Sequence, residues 1–296
     1  MTQLAHAQDL ERVEAPSAEE FQREFVEKNR PVVITGVANT WPAFERWTPQ
    51  YLRDTAGDSP VTVHYEESGN FQRWYTPEGR DDRTLPLREF LDILESDEHR
   101  RYYMSEHDLS LISKKLCADT GTSRYTDGEP KMFLGRDTCM PLHYHATTEA
   151  ILCQIEGSKE ILLYSPEQFP LLYAHPWRSP AWMFSRVDGR LQVKSFTRDI
   201  EHLRLDAPTN GDDFPKFKKA KPTVVKLEAG EILFIPVHWW HLTTCPGFQV
   251  NVSAFWKSVR RRYTFPQPGF QVLAHEWYFK LRRKLRGKPA AAAAMS

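Results

Sequence analysis

A mainly β architecture, a barrel or double-sheet jelly roll with peripheral helices, is the expectation for this chain. It rests on three features. From about residue 131 onward, short apolar strands succeed one another between Gly and Pro punctuation, the grammar of closed or double-sheet β folds. Amphipathic helical segments cluster in the first third. With 296 residues, 41% hydrophobic and 12% aromatic, the chain can bury one large core plus an appendage.

The elements follow in order. Ser17 and Glu20 stand at capping-box spacing at the head of "SAEEFQREFVEKN", and Phe21 and Phe25 share one helical face. Pro31 opens "RPVVITGV" as an apolar, β-branched strand, "TPQYLRDTAG" reads as a short helix ending at Gly57, and "PVTVHYEE" returns to strand. In "LPLREFLDILESDEH", Phe90, Ile93 and Leu94 recur at helical spacing, and "RYYMSEHDLSLISKKL" leads into polar, turn-rich sequence at 119–130. Residues 1–130 thus form a helix-rich part packed on a barrel. The barrel, 131–256, comprises "KMFLG", "PLHYHATTEAILCQIEG", "KEILLYSP", "TVVKLEAGEILFIP" and "WHLTTCPGFQVNVSAFWKS" as strands. An irregular insertion at 174–221 exceeds ordinary loop length, as lids and binding loops do.

Residues 257–288 are strongly basic, with Glu276 the only acid, and Leu273, Trp277, Leu281 and Leu285 draw one apolar stripe along a helix. A helix docked on the body or on a partner subunit, as in a homodimer, is preferred to nucleic-acid or membrane contact. Residues 289–296 are low-complexity and expected to be disordered.

Thirty-nine basic residues balance 39 acidic ones, which removes any global polyelectrolyte argument for nucleic acid or anionic membrane. No run approaches a membrane span, and the N-terminus lacks the basic start and apolar run of a signal peptide. The expected compartment is the cytoplasm. Cys117, Cys139, Cys153 and Cys245 show no CxxC spacing and read as free thiols.

The chemistry concentrates in "MPLHYHATTEAILCQIEGSK". Residues two apart in a strand face the same side, so His143 and His145 project together, and Glu149 joins them if the strand runs straight. Two imidazoles and a carboxylate in an interior are costly unless they pair or hold an ion; the alternative for the pair alone is hydrogen-bonded core histidines. A fourth candidate, His241, ends "GEILFIPVHWWHLT", where Gly230, Pro236 and His241 have the spacing G-x5-P-x4-H.

These spacings resemble the two cupin motifs, the first matched by His143, His145 and Glu149 with Gly157 one residue late. Over roughly residues 17–256 the chain is similar to the JmjC, or cupin-like, branch of iron- and 2-oxoglutarate-dependent oxygenases. That resemblance rests on the opening "RPVVITGVANTWPAFERWTPQYL", on "PLHYH...QIEGSKEILLYSP" and on "FPKFKKAKPTVVKLEAGEILFIPVHWWHLT" with "SAFW". It implies a double-stranded β-helix, with His143 and His241 as metal ligands and His145 in the family's aspartate position. It further implies that Lys159 pairs with the distal carboxylate of 2-oxoglutarate, with Tyr103 as its phenol partner. The family's hydroxyl and asparagine positions hold Met140 and Glu149. His238, Asn251 and Trp240 are possible pocket residues, each with an ordinary reading as a turn, ladder or packing residue.

The implied activity is a dioxygenase with Fe(II), Mn, Cu, Ni or Zn being alternatives, that hydroxylates a protein side chain, peptide or small amino-acid-like metabolite using 2-oxoglutarate. A 2-oxoglutarate-independent metallocupin with a three-His (plus Glu) site is the second reading, since imidazole suits several metals. A non-catalytic, metal-braced binding module is the third.

Overall fold

The computed structural model describes residues 10–67, 71, 81–187 and 214–285. The middle of the expected insertion, 188–213, and the terminal stretch 289–296 lie outside these residues. β1 (Arg12–Glu14) is followed by α1 (Ala18–Phe21), whose capping box forms in both directions between Ser17 and Glu20. β2 (Val32–Thr35) precedes α2 (Pro42–Arg46) and α3 (Pro49–Ala56), each opened by proline in its first turn, where the missing N–H has no helical partner to lose. β3 (Pro60–Tyr65) pairs antiparallel with β4 (Asp81–Pro86), and α4 (Leu87–Glu95) buries Leu87, Phe90, Leu91 and Leu94. β5 (Tyr102–Asp108) leads into α5 (Leu109–Ile112) and α6 (Lys114–Ala118). The first 130 residues therefore supply strands as well as helices, and β2 and β5 extend the barrel's own sheet by pairing with strands of the second half.

That second half holds β6 (Pro130–Tyr144), β7 (Thr148–Glu156), β8 (Lys159–Tyr164), β9 (Thr223–Leu227), β10 (Ile232–Ile235), β11 (Trp240–Lys257) and the helix α7 (Gly269–Leu285). Two strand boundaries differ from expectation. "KMFLG" and "PLHYH" fuse into β6, and a break at 145–147 separates β6 from β7. "TVVKLEAGEILFIP" divides into β9 and β10 at a turn where Gly230 takes φ +88°, a conformation open to glycine at little cost.

The strands run in the order β1-β2-β10-β7-β11-β6-β5-β3-β4, with β8 on β11 and β9 on β8. The long strands β6 and β11 belong to both faces of the barrel. The first half of β11 pairs with β8 and the end of β6, while its second half pairs with β7 and the start of β6. Their register slips between Cys245 and Phe248, the kind of irregularity that bends a strand pair. Asp137 (φ +52°) and Gly247 (φ +74°) occupy the bend, and Asp137 Oδ1 accepts a 2.7 Å hydrogen bond from the Gly247 amide. One ladder is thereby folded into the two facing sheets of a jelly roll.

Alternation then sets three apolar layers. Val250, Val252 and Ala254 pack outward under the N-terminal helices with Phe21, Leu52 and Phe90. Leu142, Tyr144, Leu162 and Trp240 pack outward on the opposite sheet with Trp182 and Val272. Ala150, Leu152, Ile161, Leu163, Leu233 and Ile235 fill the interior. Each large aliphatic side chain so buried contributes about 1.5–3 kcal/mol.

The tail helix docks by a different face from the expected stripe. Val272 is buried, His275 stacks on Trp182 at 4.1 Å between centroids, and Gln271 Nε2 donates to the His175 and Trp182 carbonyls. These contacts fix the helix's rotation and leave Trp277 64% and Leu281 38% exposed. Leu285's side chain is outside the described residues. No helix among the described residues is long and apolar enough to cross a membrane.

Candidate metal centre

His143 of β6 and His241 of β11 are direct cross-strand partners, so their side chains leave the sheet on the same face. His241 also pairs with Leu163, which packs in the interior layer, and this identifies the face as the inner one. His145, two residues beyond His143 and just past the end of β6, completes the group. Ring centroids are 4.1 Å apart for His143–His241, 4.7 Å for His145–His241 and 5.8 Å for His143–His145. The candidate ligand atoms of the three all lie within 4.8 Å of one another, so the triad forms a possible metal site.

Hydrogen bonding fixes which nitrogen each ring presents. His143 Nδ1–H donates to the Pro141 carbonyl at 2.7 Å and His241 Nδ1–H to the Trp239 carbonyl at 3.2 Å, which leaves both Nε2 lone pairs free. His145 Nδ1 is buried without a hydrogen-bond partner among the described residues. Burial pushes the His143 pKa down to about 4 and that of His145 to about 3, and His241 falls well below its ordinary value for the same reason, reinforced by the other two rings. Three neutral imidazoles, one with an orphaned nitrogen, fit a divalent transition metal; three uncompensated imidazolium groups would not be tolerated there.

Glu149 is not brought to this group. The strand was expected to run straight, but the break at 145–147 sends Glu149 onto β7. There its carboxylate accepts from the Val237 amide at 2.7 Å and from Ser258 Oγ at 2.5 Å, with Arg262 Nη1 at 3.5 Å. Burial raises its pKa despite these partners. Lys159 opens β8 inside the barrel, 3% exposed; its ammonium lies 5.5 Å from the Phe133 ring centroid and has no carboxylate partner among the described residues. Burial lowers its pKa. Tyr103 is buried with its ring against Phe71 and Phe133. Met140 is half-buried opposite Thr243.

Three further candidates have other duties. Trp240, neighbouring His241, points to the opposite face and packs on Tyr144 and Phe169 rather than lining the interior. Asn251 faces inward but is engaged, donating to Gln154 Oε1 at 3.4 Å and accepting from Ser253 Oγ at 2.6 Å. His238 (φ +72°) is a strut: Nε2–H donates to the Ala146 carbonyl at 3.1 Å and Nδ1 accepts from the Thr264 amide at 3.0 Å.

Accepting at Nδ1 while donating at Nε2 requires the neutral His238 ring. Its neighbours are the uncharged rings of Tyr144 and Tyr263, and burial pushes its pKa down to about 4. An unfolded histidine takes its proton near pH 6.5, so between about pH 6.5 and 4 the unfolded chain binds more protons than the folded one. The contribution is complete above pH 6.5 and is lost as pH falls through that window, on the order of 3 kcal/mol. His238→Asn, which tolerates the positive φ, is expected to lower Tm at pH 7.5 and to flatten the Tm–pH profile between 6.5 and 4. An unaltered slope would refute the strut.

Sequence reasoning did not single out Phe184, which stacks on His143 at 5.2 Å between centroids, or Phe255, 5.4 Å from His145. Phe184 belongs to a segment that bridges antiparallel to β6 at His143, a contact with no local pattern. Phe255 was findable, because it alternates in phase with Asn251 and Ser253.

Comparison with known proteins agrees with this geometry. The family described as cupin-like domain matches residues 18–262. Lysine-specific demethylase 8 of Danio rerio is 27% identical over 266 residues, covering 86% of this chain and 59% of that protein. Jumonji C domain-containing protein 5 of Drosophila melanogaster is 26% identical over 273 residues, covering 87% and 62%. tRNA wybutosine-synthesizing protein 5 of Gallus gallus is 28% identical over 260 residues, covering 81% and 74%. The chain spans less than two thirds of the first two relatives. With the family match extending over residues 18–262 and a jelly roll carrying its histidines on β6 and β11, the chain belongs to the cupin-like domain family, the JmjC branch of the cupin superfamily.

Proposed function

We propose that this chain is an oxidoreductase, a JmjC-type dioxygenase that uses a divalent metal, Fe(II) foremost, and 2-oxoglutarate to hydroxylate a substrate carbon. The observation that carries the reading is the convergence of His143, His145 and His241, all neutral, in a barrel whose interior also holds the unpaired Lys159 ammonium. With metal and co-substrate bound, the chemistry supplied is oxidation of a C–H bond by dioxygen, coupled to conversion of 2-oxoglutarate into succinate and carbon dioxide.

The chain's own residues hold and exclude. The Pro141 and Trp239 carbonyls orient the rings of His143 and His241. Lys159 alternates in phase with Ile161 and Leu163 of the interior layer, and Leu163 is the partner of His241. A buried ammonium on that inner face attracts the far carboxylate of a dicarboxylate. Phe184 and Phe255 flank the imidazoles and keep water from two sides. Relatives named for a lysine demethylase and for tRNA wybutosine synthesis make a macromolecular substrate reasonable, a protein side chain or peptide being preferred, with a small amino-acid-like metabolite the alternative. A second copy packed on Trp277 and Leu281 would make the protein a homodimer.

One observation favours a second reading. His145 replaces a carboxylate and Glu149 is engaged elsewhere, so the three imidazoles bring no negative charge, as in a metallocupin that oxidises its substrate without 2-oxoglutarate. Chelator-stripped protein reloaded with Fe(II) and supplied with 2-oxoglutarate in air separates the two. Metal-dependent succinate is the expected product. Oxygen consumption without succinate would transfer the assignment to the metallocupin, and a zinc-filled protein inert to oxygen would reduce it to a binding module.

A further inference from the structure

We infer that Gln249 is a positioning residue for the co-substrate: its carboxamide donates to the distal carboxylate that Lys159 attracts, and helps to select a dicarboxylate over a monocarboxylate. The inference rests on the 2-oxoglutarate reading above.

Strand phase puts Gln249 inside. Val250, Val252 and Ala254 pack outward under the helices, so Gln249, Asn251, Ser253 and Phe255 share the inner face. Gln249 is 0% exposed, yet neither its Nε2 nor its Oε1 has a hydrogen-bond partner among the described residues. Its inward neighbours do not share that condition. Gln154, Asn251 and Ser253 bond to one another, and Gln154 Nε2 also donates to the Glu156 carbonyl at 2.7 Å. A buried amide left open on both atoms is costly unless a ligand completes it.

Its surroundings identify the ligand's chemistry. Gly135 is the cross-strand partner of both Gln249 and Tyr103, so the three form one row across β11, β6 and β5. A Cβ on Gly135 would meet Tyr103 Cδ2 at 2.8 Å, so the tyrosine ring occupies the space that a side chain there would take. From the other side, Gly157 presses on the same backbone: a Cβ on it would lie 2.3 Å from the Phe248 oxygen and 3.3 Å from Gln249 Cα. Lys159 starts two residues after that contact. Thus the turn that launches the unpaired ammonium rests directly against the residue bearing the unpaired amide. A cation and an N–H donor, both desolvated, constitute a receptor for a carboxylate. The ammonium has three N–H groups, enough to serve the ligand and the Gln249 oxygen together.

The test uses the full chain loaded with manganese, titrated calorimetrically with 2-oxoglutarate and with pyruvate, alongside melting curves of the ligand-free and 2-oxoglutarate-saturated protein. Gln249→Leu should weaken 2-oxoglutarate about tenfold, the loss of one charge-assisted hydrogen bond, and leave pyruvate nearly unaffected. Its ligand-free Tm should equal or exceed that of the wild type, because an unpaired amide gives way to an apolar group of similar size. Gln249→Met serves if the leucine variant does not fold. Wild-type affinity in the variant, or a lower ligand-free Tm with affinity retained, would overturn the inference and leave the co-substrate reading standing. Failure of the wild type itself to bind 2-oxoglutarate would overturn both.

Discussion

His241→Ala is expected to strip the protein of its metal and of all metal-dependent turnover, while the fold survives. His241 is the sole member of the triad contributed by β11, and its ring lies between the other two, closer to each than they are to one another. Its removal leaves two imidazoles from alternate positions, 143 and 145, on one side of the site. Loss even of a group that merely orients a metal ligand costs about 10–100-fold in affinity, so loss of a ligand should cost about a hundredfold or more. The backbone of residue 241 would keep its ladder to β6 and β8, so far-ultraviolet circular dichroism should be unchanged. Metal content after dialysis, measured by mass spectrometry, decides the matter: a variant that retains wild-type stoichiometry would show that the cluster is not the metal site.

How much of this was legible beforehand follows from which interactions are local. The period-two spacing of His143 and His145 and the Gly230–Pro236–His241 spacing are local, and both carried through to the structure. The Ser17–Glu20 box did too, because a cap is decided within four residues. Glu149 was misplaced for the same reason. Nothing in "HATTEA" says that the chain turns at 145–147, since that break comes from β11 taking β6 on one edge and β7 on the other. The tail shows the complementary failure. Its apolar stripe is real, yet the helix is rotated by Gln271 and His275 onto carbonyls and a ring that lie about ninety residues earlier in the chain. Gln249 was invisible because a buried glutamine is unusual only once its neighbours' hydrogen bonds are known.

The second expectation concerns Glu149 and Arg262, and it separates a structural clamp from a metal ligand. The pair is nearly sequestered, with side-chain exposures of 10% for Arg262 and 1% for Glu149, and it ties the segment leaving β11 back to β7. Removing one partner from such a pair strands a charge, at a cost of about 3–5 kcal/mol, whereas replacing both with apolar groups is often neutral. Arg262→Met should therefore lower Tm by several degrees at pH 7. The stranded carboxyl, already raised by burial, would go higher still without the guanidinium, so the deficit should shrink as acid neutralises it. Glu149→Gln keeps an oxygen for only one of the two donors, the Val237 amide or Ser258 Oγ, and leaves Arg262 unpaired, so it should also destabilise. The double variant should recover much of the loss, and the coupling read from that cycle measures the pair itself. Throughout the series the metal content should stay at the wild-type level, because neither side chain belongs to the histidine cluster. If Glu149→Gln instead loses metal as His241→Ala does, the carboxylate swings into the coordination sphere when metal binds, and the three-imidazole description of the centre is wrong.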